Sequence, residues 1–164
     1  MFHRAKGRPM STETASAADE DLLLERQLCF ALSVASRSIV GAYKPVLEVL
    51  GLTHPQYLVM LALWEKSPRR VRELSESLLM EPATLSPMLK RLEAAGLVTR
   101  NRAAGDERSL AVELTDAGRS LRSRALVVPG TMMERLGLGR DEVEELNRSM
   151  HRLIEAAQKA GDAA

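Results

Sequence analysis

The side chain best suited to chemistry in this sequence is a single thiol. Cys29 is the only cysteine among 164 residues and sits in Leu28-Cys29-Phe30-Ala31-Leu32. A lone cysteine closes no intramolecular disulfide, so it is either an inert core residue or a thiol in use. Its apolar neighbours alone favour the inert reading, because free cysteine behaves as a small hydrophobe. The histidines His3, His54 and His151 are scattered, with no metal-ligand spacing among them or to Cys29. No metal or other cofactor is expected. A second chemistry is electrostatic. Between Lys66 and Arg108 the chain carries nine basic and six acidic residues, a local excess in a chain of net charge +1. The whole is no polycation, so any nucleic-acid site is a local basic surface. Charge runs of this kind also occur as the solvated faces of ordinary helical domains.

The elements that must position these groups are readable from periodicity. Cys29 lies in a helical pattern over about 20–50, where Leu28, Leu32, Ala35, Ile39, Ala42, Val46 and Leu50 recur at spacings of three and four. Asp19, Glu20 and Asp21 suit the positive end of that helix, and Gly51 its stop. Pro45 is expected to kink or divide it. Thr53-His54-Pro55-Gln56 reads as a new start, with Thr53 as cap and Gln56 at the capping-box position. Tyr57, Met60, Leu61 and Trp64 mark its buried face, and Ser67-Pro68 breaks it. A short helix over about 71–79 follows. Glu81-Pro82-Ala83-Thr84 opens the next, with Leu85, Met88, Leu89 and Leu92 on one face. Thr84, Ser86, Lys90 and Arg91 fall off that stripe, and Gly96 ends the helix. A strand over 97–100, a polar turn over 101–107 and alternating Leu110, Val112 and Leu114 predict a β-hairpin. Thr115 can cap a helix over about 116–127, Pro129-Gly130 interrupts, and a last helix covers about 140–158.

The order of elements points to a mainly α fold with a small β-hairpin wing, a winged helix-turn-helix. The second helix of such a pair enters a major groove, and the hairpin reaches along the backbone or into the minor groove. Residues 1–18 are expected to be a disordered tail, with Met10 an alternative start. Residues 19–160 are expected to form one domain. Within it the winged helix-turn-helix covers about 53–115, and helices over 20–50 and 116–160 have apolar faces to spare for a dimerisation layer. A two-fold homodimer matches a palindromic operator in double-stranded DNA. A single cysteine suits a reducing cytoplasm. No run approaches the ~18 apolar residues of a membrane span, and no apolar segment follows the basic N-terminus as in a signal peptide.

Specific motifs carry a resemblance. Leu89-Lys90-Arg91-Leu92-Glu93-Ala94-Ala95-Gly96-Leu97-Val98-Thr99-Arg100, followed by Asp106-Glu107-Arg108, resembles the recognition helix and wing of the multiple antibiotic resistance regulator (MarR) family. Gln27-Leu28-Cys29-Phe30, Ala42-Tyr43-Lys44-Pro45, Leu52-Thr53-His54-Pro55-Gln56-Tyr57-Leu58 and Thr84-Leu85-Ser86-Pro87-Met88-Leu89-Lys90-Arg91 resemble its organic hydroperoxide resistance regulator (OhrR) branch, of the one-cysteine type. The similarity covers about 20–158. It implies a homodimeric repressor rather than an enzyme, with Thr84, Ser86, Pro87, Lys90 and Arg91 on the recognition helix. Arg108 would enter the minor groove with Asp106 orienting it, and Arg102 would be a further wing contact to DNA. The chain departs from the branch at Pro82-Ala83, where serine and glycine are usual. Pro82 has no N–H to offer a phosphate.

The resemblance also reverses the reading of Cys29. In this branch the equivalent cysteine is oxidised by organic hydroperoxides, and DNA is then released. Tyr43 matches a residue that hydrogen-bonds the sulfur, and His54 stands where the branch usually has a second tyrosine. A third tyrosine position is Ser33. Tyr43 is fourteen residues beyond Cys29, which is ~21 Å along a continuous helix. Contact across an antiparallel dimer is therefore expected. His54 in a first helical turn is expected to be a neutral N–H donor, since the helix dipole opposes its protonation. With no resolving cysteine, the oxidised sulfur goes to a mixed disulfide with a low-molecular-weight thiol, to a sulfenamide or to higher acids. Peroxide alone is expected to alter the protein weakly, and added thiol to complete release. Two other readings stand beside this one. One is a MarR-type repressor released by a small anionic aromatic ligand, with a structural Cys29. The other is a thiol peroxidase, which lacks the obvious recycling cysteine.

Overall fold

A computed structural model describes residues 17–103 and 106–162, with side chains for 19–102 and 110–161. The expected tail falls, up to residue 16, outside the described residues. The chain divides into two units, Met1–Ile39 and Val40–Ala164.

The first unit holds α1 (Ala17–Glu20), a 3-10 turn (Leu24–Arg26) and the start of α2 (Leu28–Glu48), which continues into the second. The single helix expected from residue 20 is thus broken before Leu28. Local polar contacts hold the break: Gln27 Nε2 donates to the carbonyls of Asp21 (2.5 Å) and Leu23 (3.2 Å). Arg26 pairs with Glu20 at 3.0 Å. Pro45 does not divide α2, which runs through it to Glu48. Its missing N–H costs one bond, to the carbonyl of Gly41, and only three residues of helix follow it.

The second unit continues with α3 (His54–Glu65), β1 (Arg69–Arg70), α4 (Val71–Leu78) and α5 (Pro82–Ala94). A hairpin of β2 (Val98–Ala103) and β3 (Asp106–Leu114) follows, then α6 (Asp116–Ala125), α7 (Val128–Leu136) and α8 (Arg140–Asp162). The sheet is antiparallel in the order β1-β3-β2, with Val98 opposite Leu114 and Arg69 opposite Val112. A register shift falls between Arg102 and Ala103. The capping box starts α3 as expected: Gln56 N–H donates to Thr53 Oγ1 and Thr53 N–H to Gln56 Oε1. Pro129 does not interrupt a helix. It lies in the first turn of α7, where a missing N–H costs nothing. The core joins Leu47 to Val59, Met60, Leu63, Leu74, Leu85, Leu89, Leu92, Val98 and Val112, all essentially inaccessible. Each such side chain contributes about 1.5–3 kcal/mol of burial. This core fixes α5 by its apolar stripe and the hairpin by alternate residues, leaving their other faces to solvent.

Candidate nucleic-acid interface

The helix α5 splits cleanly by face. Leu85, Met88, Leu89 and Leu92 are buried, whereas Thr84, Ser86, Pro87, Lys90 and Arg91 are exposed. Lys90 and Arg91 enter no ion pair among the described residues. Ser86 Oγ donates to Pro82 O at 2.9 Å, so its lone pairs point outward as acceptors. Pro82 occupies the first turn of α5, a position that needs no intrahelical donor. The turn before α5 is held by Leu79 in the left-handed conformation (φ 50°) and by a hydrogen bond from Ser75 Oγ to Met80 O.

Three other cations of the basic segment are already engaged. Arg69 reaches Glu65 and Ser77, both at 3.2 Å, and Arg72 reaches Glu76 at 2.8 Å. Arg100 on β2 binds Glu93 on α5 through its backbone N–H (3.2 Å) and through Nε (2.9 Å). The side-chain hydrogen bond from Arg100 holds the Glu93 carboxyl below its ordinary range. This pair ties the recognition helix to the root of the wing, a structural use that charge counting does not reveal. Arg102 is exposed on β2, paired in register with Leu110. The backbones of Asp106 and Arg108 lie on β3, and their side chains fall outside the described residues.

The thiol-related residues are distributed as follows. Cys29 is exposed in the first turn of α2, the helix end that favours negative charge. Exposure in its own chain means that it fills no core there. Ser33 Oγ donates to Cys29 O at 2.8 Å. In the second unit, Tyr43 and His54 are brought together, ring centroids 5.4 Å apart and edge-on. Burial pushes the Tyr43 phenol up and the His54 imidazole down. Both are therefore neutral near pH 7 and able to donate hydrogen bonds. The neutral His54 agrees in direction with the helix-dipole argument, with burial as the cause. Sequence reasoning placed Trp64 on a buried face but missed its tie to Gly118: Trp64 Nε1 donates to Gly118 O at 2.8 Å. The available signal was a glycine inside a capped helix, where it costs about 1 kcal/mol and so needs a packing reason.

A helix pair whose second member turns a polar face outward, followed by a hairpin wing, defines a winged helix-turn-helix regulator. The transcriptional regulator SarA/Rot family model matches residues 41–124. The organic hydroperoxide resistance transcriptional regulator of Bacillus subtilis is 40% identical over 136 residues, covering 83% of this chain and 92% of its own. Reduced AbfR bound to DNA, a protein of Staphylococcus epidermidis, superposes with a TM-score of 0.71 at 32% identity, covering 85% of this chain and 98% of that one. The repressor CouR of Rhodococcus jostii, bound to a 23-mer duplex, gives 0.73 at 30% identity, covering 80% and 94%. The chain belongs to the MarR family of DNA-binding transcriptional regulators, within its OhrR branch. No helix among the described residues is long and apolar enough to cross a membrane.

Proposed function

We propose that this chain is a homodimeric repressor that holds a palindromic operator and releases it when an organic hydroperoxide oxidises Cys29. The observation that carries the reading is the exposed sole thiol at the start of α2, in a chain whose second unit holds Tyr43 and His54 as a joined pair of neutral donors. Because α2 runs unbroken from Leu28 to Glu48, Tyr43 serves the partner subunit's Cys29 rather than its own. Dimerisation is supported by unpaired apolar surface: Leu28, Val34 and Ile39 on α2, and Leu146, Met150 and Ile154 at helical spacing on α8 are exposed.

The thiolate attacks one peroxide oxygen, and the O–O bond breaks. The alkoxide leaves with the electron pair, takes a proton and departs as an alcohol, leaving a sulfenic acid. A low-molecular-weight thiol then attacks that sulfur, giving a mixed disulfide and water. Thr84, Ser86, Pro87, Lys90 and Arg91 face the major groove. Arg102 and Arg108 act from the wing, with Asp106 orienting Arg108, whose guanidinium suits a narrow minor groove. The site of action is the cytoplasm.

The test uses a duplex selected from a random-sequence pool on the reduced protein. Wild type should release it after organic hydroperoxide and a small thiol, and Cys29→Ser should not. Release by Cys29→Ser sinks the reading. A second reading has one observation in its favour. A groove of about 360 Å³, lined by Tyr57, Leu61, Trp64, Leu126 and Pro129 with one cation, Arg122, and one carboxylate, Glu65, has room for an aromatic ligand whose acid group would pair with Arg122. Release of both proteins by such a ligand alone would favour it.

A further inference from the structure

Four rings stand in a row inside the second unit. His54 meets Tyr43 at 5.4 Å, Tyr43 meets Tyr57 at 6.2 Å, and Tyr57 meets Trp64 edge-on at 6.3 Å. At the far end the row becomes directional, because Trp64 Nε1 donates to Gly118 O at 2.8 Å. Gly118 is buried, and a Cβ there would stand 2.1 Å from Leu97 O. Its N–H donates to Thr115 Oγ1 (3.0 Å), and that hydroxyl donates to Gly96 O (2.6 Å). Thr115 N–H donates to Leu97 O at 3.1 Å. The Trp64 bond therefore lands where α5 ends, β2 begins and β3 hands over to α6.

We propose that Tyr57 and Trp64 are positioning residues that couple the Tyr43–His54 pair to the junction of recognition helix and wing. The proposal rests on the reading of Tyr43 and His54 as the groups that meet the partner subunit's Cys29. A tyrosine ring is rigid, and that of Tyr57, although it also lines the apolar groove, meets Tyr43 on one side and Trp64 on the other, so a displacement of Tyr43 bears directly on it. A Tyr43 ring drawn toward an oxidised sulfur alters the packing of Tyr57, and Tyr57 in turn bears on the edge of Trp64. The Trp64 N–H bond to Gly118 is then either kept or lost, a two-state element that both ends bias. One neutral hydrogen bond sets the scale, about 3- to 10-fold in the ratio of oxidised to reduced operator affinity.

Trp64 is the only tryptophan, so its fluorescence reports the element directly. The full chain is titrated on the selected duplex before and after organic hydroperoxide with a small thiol, and thiol loss is followed by mass spectrometry. In wild type, Trp64 emission should change in step with loss of the Cys29 thiol, and in Cys29→Ser it should stay still. Trp64→Phe lacks the bond in either state, so it should oxidise at the wild-type rate and bind like wild type once oxidised, yet bind about 3- to 10-fold more weakly when reduced and lose that much of the affinity ratio. Tyr57→Phe keeps the ring and should keep the ratio, whereas Tyr57→Leu should lose it. Wild-type release with silent Trp64 emission overturns the coupling alone. So does a Trp64→Phe protein that releases like wild type, or one that loses reduced and oxidised binding equally. A wild type that keeps its DNA with Cys29 oxidised overturns the sensor reading and the coupling with it.

Discussion

Replacing Gly118 by alanine adds one methyl group at the most crowded backbone contact among the described glycines. The new Cβ would lie 2.1 Å from Leu97 O, 3.1 Å from Leu97 C and 3.2 Å from Leu114 Cδ2. Ordinary contact begins at 3.4 Å, so α6 and the Leu97 peptide must part by roughly 1.3 Å at fixed direction. Both closest atoms are backbone, so no side chain can swing aside. Separation on that scale breaks the Thr115 N–H bond to Leu97 O and strains the Trp64 bond to Gly118 O, at about 1 kcal/mol each. Overpacking strain adds about 1–3 kcal/mol, and the better helix propensity of alanine returns about 1 kcal/mol. The net loss expected is about 2–4 kcal/mol, read as a shift of the urea midpoint at unchanged slope. For a chain of this size it is a fall in Tm of about 5–15 °C. Gly130→Ala is the control. That glycine is half-buried in α7 with nothing within 4 Å of an added Cβ, and its replacement should stabilise by up to about 1 kcal/mol. A Gly118→Ala protein that loses less than about 1 kcal/mol, set against that control, refutes the close-approach argument.

Three further outcomes follow from the same structure. Burial holds His54 below its ordinary value of 6.5, so just below that pH the unfolded chain binds more protons than the fold. Stability should therefore fall as pH drops below 6.5 and through the folded value, and His54→Gln should flatten this slope in urea titrations over roughly pH 5–7. An unchanged slope would rule His54 out as its source. Leu79 is exposed and left-handed (φ 50°, ψ 43°), so Leu79→Gly should stabilise by about 0.5–1 kcal/mol in thermal melts, and a loss would contradict the strain argument. Lys90→Ala should weaken DNA binding on every sequence tried and lower the log–log salt slope by about 1 per protomer. A slope that does not move would place Lys90 away from phosphate.

The parts of the fold that were legible are those with strong local chemistry. Thr53 and Gln56 announced the start of α3 because each satisfies the other's backbone donor. Leu85, Met88, Leu89 and Leu92 announced which face of α5 turns inward, and so which residues face out. What stayed hidden was held by contacts between distant segments. Strand β1 is two arginines with no apolar alternation, paired to β3 through backbone alone. The break before Leu28 depends on Gln27 capturing carbonyls up to six residues back, against a helical apolar pattern. Pro129 reads as a breaker or a first-turn residue depending only on where the helix begins. In the candidate site, the outward face of α5 and the neutral His54 were readable. The commitment of Arg100 to Glu93 was not, because it joins a helix to a strand across a glycine turn.

That commitment bears on how such a protein would search a genome. Arg69, Arg72 and Arg100 each hold an acidic partner within their own fold, so they bring little unopposed charge to random duplex. Non-specific hold scales with the phosphates a protein neutralises. These three arginines therefore add little to residence on irrelevant sequence. Discrimination then falls to the few groups that face outward on α5 and the wing, and modest changes there decide where in a chromosome the protein spends its time.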